Sequence, residues 1–124
     1  MSEGRLLVLD DDATVGQILV MGAQTSGFEA RLCETVPAFL AALADWAPTH
    51  LAIDLTLPGS SGVAVLQQVA QAGSGARIII CSGSGAEDLD AALEAARRLG
   101  LATAGVLPKP FRLAALRAVL AGTA

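Results

Sequence analysis

The stretch Leu6-Leu7-Val8-Leu9-Asp10-Asp11-Asp12 joins four unbroken apolar residues to three consecutive carboxylates. A strand with one wet face alternates polar and apolar residues. A run with no polar member is buried on both faces, as in a parallel sheet covered by helices on each side. The form recurs along the chain. Leu51-Ala52-Ile53 ends at Asp54, Ile78-Ile79-Ile80-Cys81 at Ser82, and the run Thr103 to Leu107 leads through Pro108 to Lys109. Phe28 to Cys33 partly alternates instead, which predicts a half-exposed edge strand.

Helical patterns fill the intervals. The first runs from Ala13 to Ser26, with Val15, Ile18 and Leu19 on its inner face and Gly27 as its stop. The second spans Val36 to Trp46, with Pro37 in its first turn and Pro48 beyond its end. The third, Gly62 to Gln71, follows a Leu55–Ser61 loop containing Pro58-Gly59 and buries Val63, Leu66 and Val69. Ser84-Gly85-Ala86-Glu87 has capping-box spacing. The helix behind it sets Leu89, Leu93 and Ala96 inward and stops at Gly100. A last helix carries Leu113, Leu116 and Leu120. Five βα units in succession predict an α/β fold with a parallel sheet and helices on both faces.

Composition narrows the function. The 124 residues are the size of one domain, 53% are hydrophobic, and only 3% are aromatic, so the core is built of aliphatic side chains. A formal charge of −4 excludes the basic surface that holds nucleic acid or anionic lipid. The longest uncharged stretch, Leu55 to Ala76, contains Pro58, four glycines and three glutamines, and so reads as loop plus amphipathic helix rather than a membrane span. The apolar run after Arg5 is too short for a signal peptide. A soluble, cytoplasmic protein is the expectation.

The polar residues that interrupt the pattern sit where strands end. In an open parallel sheet these ends share one edge, and ligands bind in the crevice outside it. Asp10, Asp11, Asp54, Ser82 and Lys109 are thereby expected in one pocket. Two unit charges 4 Å apart repel by about 4 kcal/mol at an effective dielectric of 20, so clustered carboxylates call for a cation. Oxygen-only ligation favours Mg²⁺. A lysine opposite would balance an incoming phosphoryl group, and a serine hydroxyl would hydrogen-bond it. Each residue also has an ordinary explanation. Asp10 to Asp12 could cap the next helix, Asp54 could form a turn, and Ser82 and Lys109 could be solvated. His50 and Trp46 match no motif and read as structural.

The segments VLDDDATV (8–15), IDLTLPGSSG (53–62), IICSG (79–83) and LPKPF (107–111) resemble, in order and over nearly the whole chain, the signature blocks of response-regulator receiver domains. The resemblance implies one receiver domain over 1–124 with a flavodoxin-like (βα)5 three-layer sandwich and strand order 2-1-3-4-5. In that order Cys33 and Cys81 stand three strands apart, roughly 14 Å and beyond disulfide reach, which suits a reducing compartment.

Carried over by position, the resemblance makes Asp54 the phosphoacceptor and Asp11 a direct Mg²⁺ ligand, with Asp10 acting through water. The backbone carbonyl of Thr56 completes the protein ligands, and Asp12 falls past the acidic pair as a loop residue. Ser82 matches the switch hydroxyl, Gly83 the small residue giving the phosphoryl group access, and Lys109, the chain's only lysine, the phosphoryl contact. Pro110 matches a proline often preceded by a cis peptide. Thr56 and Ser84 match positions that tune phosphoryl lifetime.

The implied function is a Mg²⁺-dependent switch rather than an enzyme. A histidine kinase or phosphotransfer protein would phosphorylate it, and the face of the fourth helix, fifth strand and fifth helix would signal to an output domain or protein. No nucleic-acid or membrane partner is implied, and a phosphorylation-linked homodimer stays open. Two departures stand out. Val106 occupies a position that often holds a switching aromatic, and Gly100–Gly105 is longer than the family pattern, similar to receivers attached to cyclic-di-GMP phosphodiesterase domains. Two alternatives remain at this point. One is a phosphorylation-independent pseudo-receiver that dimerises. The other is an aspartate-based phosphatase, whose motif needs an acid where Thr56 stands.

Overall fold

The computed structural model describes residues 4–55, 62–83 and 85–121. Strands and helices alternate as β1 (Arg5–Leu9), α1 (Ala13–Thr25), β2 (Glu29–Cys33), α2 (Val36–Trp46), β3 (His50–Asp54), α3 (Gly62–Gln71), β4 (Arg77–Ser82), α4 (Ala86–Arg98), β5 (Thr103–Pro108) and α5 (Leu113–Ala121). The strands form one sheet in the order β2-β1-β3-β4-β5, with every neighbouring pair parallel. This is the flavodoxin-like (βα)5 arrangement that the sequence implies.

Because successive strand residues point to opposite faces, the apolar runs feed two cores at once. Leu7, Leu9, Leu51, Ile53, Ile78 and Ile80 face α2, α3 and α4. Leu6, Val8, Ala52, Ile79 and Cys81 face α1 and α5. Leu6 to Leu9, Leu51, Ile53 and Ile78 to Ile80 are wholly buried, and the edge strand β2 is half-exposed.

Two inward faces differ from the sequence expectation. Ile18 of α1 and Val63 of α3 are exposed, and Gly16, Val20 and Val65 turn inward instead; in α5 Leu116, Val119 and Leu120 are buried and Leu113 is exposed. Val15 and Leu93 are half-buried. In α1 the phase is set by close approach. A Cβ on Gly16 would stand 2.5 Å from Leu32 Cδ1, and one on Gly22 would stand 2.7 Å from Leu116 Cδ2, so the two glycines must face β2 and α5. The helix carries no charge that would mark an outer face.

The helix ends differ in two places. Asp12 is the N-cap of α1, its carboxylate accepting from the amides of Thr14 and Val15, rather than a plain loop residue. Gly85 is the N-cap of α4 and makes no side-chain cap hydrogen bond; Ser84, the capping residue that the spacing proposed, lies outside the described residues. The pairing of β4 with β5 contains a bulge. Ile78 pairs with Thr103 and Ile79 with Gly105, leaving Ala104 between them.

Candidate functional site

The strands β1, β3 and β4 end on the same edge, in register. Leu9 pairs with Ile53, Asp54 with Cys81, and Ser82 with Pro108. Asp10, Asp54, Ser82 and Lys109 are thus delivered to one crevice by the sheet itself. Asp10, Asp54 and Ser82 are the only polar or charged residues classed as buried among those described, at 1%, 2% and 0% exposure.

Asp10 is held from three sides. Its amide donates to the Cys33 carbonyl (3.1 Å), its Oδ1 accepts from the Asp12 amide (2.9 Å), and its Oδ2 accepts from Lys109 Nζ (2.8 Å). Lys109 Nζ also stands 3.6 Å from Asp54 Oδ2. Asp10, Asp11 and Asp54 each offer one carboxylate oxygen within 4.8 Å of the others, with Asp11 the exposed member. The Lys109 amide donates to the Ser82 carbonyl (2.9 Å), tying the end of β5 to the end of β4.

The electrostatics follow from this crowding. Burial pushes the Asp10 carboxyl above its ordinary value, the Lys109 and Asp12 hydrogen bonds pull it partly back, and the Asp54 charge adds to the rise. Burial would lower the Lys109 ammonium, but its hydrogen bond to Asp10 and the charges of Asp10 and Asp54 outweigh this and leave it raised. Beneath them, burial pushes the Cys81 thiol up to about 12.

Gly83 is exposed beside Lys109, and a Cβ there would meet only Lys109 atoms at 3.8 Å or more. The Lys109-Pro110 peptide is cis. Val106 is half-buried and packs on the side of the sheet covered by α2, α3 and α4. Thr56 and Ser84 lie outside the described residues. What the sequence reading missed is that the lysine's tighter bond is to Asp10 rather than to Asp54. No spacing rule carries that information, since the two carboxylates differ only in which strand end they leave.

The family model for the response regulator receiver domain matches residues 6–121. The chain belongs to the response-regulator receiver family. Among curated relatives, this receiver is 33% identical over 111 residues to the DNA-binding transcriptional regulator NtrC of Salmonella typhimurium, covering 90% of this chain and 23% of that protein. It is 31% identical over 110 residues to the transcriptional regulatory protein FixJ of Bradyrhizobium diazoefficiens, covering 89% and 51%. It therefore spans about a quarter of the NtrC protein and half of FixJ. Among solved structures, the receiver superposes on NtrX from Brucella abortus with a TM-score of 0.83 at 25% identity, covering 98% of this chain and 27% of that one. The FixJ-N structure gives 0.81 at 23% identity, covering 99% and 94%. No helix among the described residues is long and apolar enough to cross a membrane.

Proposed function

We propose that this receiver takes a phosphoryl group onto Asp54 from a phosphohistidine of a kinase or phosphotransfer protein. The observation carrying this reading is the Lys109 ammonium, 2.8 Å from Asp10 and 3.6 Å from Asp54, set against three carboxylates. An Asp54 oxygen attacks phosphorus in line, the P–O bond forms as the P–N bond breaks, and the imidazole leaves with the electron pair. Lys109 neutralises charge on the phosphoryl oxygens, and the Ser82 hydroxyl donates to one of them. Gly83, lacking a side chain, leaves the approach open.

The donor set suits Mg²⁺, being oxygen only. Asp11 and Asp54 would hold it directly, together with the Thr56 carbonyl. Asp10 would act through water, because both its oxygens already accept bonds from Asp12 and Lys109. Bound there, the cation supplies charge neutralisation at the phosphoryl oxygens. Water later removes the phosphoryl group, and the domain resets as a switch rather than turning over a substrate. Two free cysteines suit a reducing cytoplasm.

Switching from 1:99 to 99:1 takes about 5.5 kcal/mol of differential free energy. The Ser82 contact supplies about 1.5–3 kcal/mol, so loop repacking must supply the rest. With Val106 too short to act as a swinging ring, the signal leaves through the segment after β4 and α4, towards an output partner on the α4-β5-α5 face. The test is a beryllofluoride titration with Mg²⁺, followed by amide chemical shifts. Wild type is expected to shift around Ser82, Gly83 and α4, and Asp54→Asn to stay unchanged. A wild type that does not respond would overturn the reading in favour of a phosphorylation-independent module.

A further inference from the structure

Helix α4 carries charges that the phosphoryl chemistry leaves unused. Glu87 and Asp88 lie in its first turn, and Arg97 and Arg98 in its last. Helix-dipole compensation accounts for the signs at the two ends. It does not account for Glu87 and Arg98, eleven residues apart, falling on one face of the helix. Positions 87, 91, 94, 95 and 98 recur at helical spacing and share a stripe about 17 Å long. Glu87, Ala91, Glu94 and Arg98 on that stripe are exposed. Beside it, Val63 of α3 and Leu99 are 40% and 37% exposed, two of the five large hydrophobic side chains left on the surface among the described residues. Val63, Ala91, Ala95 and Leu99 line a cleft of about 360 Å³ between α3 and α4, together with the polar side chains of Gln67, Glu94 and Arg98.

The face is its own complement. A two-fold axis crossing α4 near its middle runs the second copy antiparallel, so each acidic end lies over a basic end. Ala91 and Ala95 then meet at the centre, where small side chains allow close approach, and Val63 and Leu99 close over them. Glu87 has no ion pair among the described residues, and Arg98 has only the exposed Glu94, at 3.6 Å. Both are therefore available across the axis. We infer that the α3–α4 face docks a second copy of this chain as an antiparallel two-fold pair, Glu87 of each copy meeting Arg98 of the other around Val63, Ala91, Ala95 and Leu99. Such an isologous contact closes on itself and does not propagate into fibres. Exposed ion pairs contribute little affinity, so they set orientation and register, and the apolar centre holds the pair. The dimer is weak and salt-sensitive. The inference stands on side chains outside the carboxylate site and holds whether or not Asp54 accepts a phosphoryl group.

The experiment is sedimentation equilibrium of the full chain without phosphodonor, on wild type, Glu87→Arg, Arg98→Glu and an equimolar mixture of the two variants. Wild type is expected to self-associate at low salt. Each reversal opposes like charges at both symmetric pairs and weakens association by about tenfold. In the mixture, one copy presents arginine and the other glutamate at every pair, so association returns to the wild-type level. A variant that simply misfolds cannot be restored by mixing. Wild type monomeric up to about 1 mM, single variants associating as wild type does, or a mixture no tighter than its components would each overturn the inference.

Discussion

Replacing Lys109 with methionine keeps most of the side chain's length and removes its charge. The ammonium is 2.8 Å from Asp10 and 3.6 Å from Asp54, and only 19% of the side chain is exposed. At an effective dielectric of 20 these distances correspond to gross attractions of about 6 and 5 kcal/mol. Much of that repays the cost of burying the charges, and removing one partner of a buried pair typically costs about 3–5 kcal/mol. Allowing for the exposed fraction, Lys109→Met is expected to lose about 3 kcal/mol in the absence of divalent cations, roughly 10 °C in Tm for a chain of this length. Urea unfolding in EDTA measures the loss, with an unchanged m-value showing that the same surface is exposed. Magnesium chloride should narrow the gap between variant and wild type, because a divalent cation supplies the charge that the lysine no longer does. Sodium chloride at matched ionic strength should not. A loss below about 1 kcal/mol, or a gap indifferent to magnesium, would refute the view that Lys109 is the counter-charge of a buried carboxylate cluster.

Three further outcomes follow from the structure. Asp12→Ala removes the α1 cap and is expected to cost about 1 kcal/mol in chemical denaturation without affecting phosphorylation; a loss of Mg²⁺ affinity would instead make Asp12 a ligand. Burial, with the Arg77 charge behind it, lowers the His50 imidazole below 6.5, and its buried Nε2 has no hydrogen-bond partner. The unfolded chain therefore binds the proton first, and this contribution to stability is full above pH 6.5 and falls as pH drops towards the folded value. An NMR titration of the ring with a midpoint at or above 6.5 would contradict it. Finally, iodoacetamide at neutral pH should label native Cys81 only after unfolding, since its thiol is 1% exposed and titrates at about 12, whereas half-exposed Cys33 should label slowly in the native protein. Peptide mass mapping distinguishes the two.

The strands were legible because Leu6 to Leu9 and Ile78 to Ile80 have no polar residue to misplace. Buried on both sides, they admit one reading. Helix phase was less so. α1 is apolar or neutral all round, and the choice between Ile18 and Val20 as the inner residue depends on Gly16 and Gly22 yielding space to Leu32 and Leu116, a tertiary fact. In α3, Val63 and Val65 are equally apolar, and only the sheet beneath selects Val65. The Asp10, Asp54, Ser82 and Lys109 set was readable because each stands at the end of a strand and parallel strands end together. Its internal wiring was not. Asp10 takes the shorter lysine bond while anchored at Cys33 and Asp12, and the Cys33 contact exists only once β1 and β2 are paired.

The central claim concerns one carboxylate. Incubation with acetyl phosphate and Mg²⁺, borohydride trapping of the acyl phosphate, and peptide sequencing by mass spectrometry would report which side chain was modified. The account predicts a single trapped site at Asp54, abolished by EDTA and absent from Asp54→Asn. Trapping at Asp10 or Asp11, or no trapped site while the protein remains folded, would contradict it.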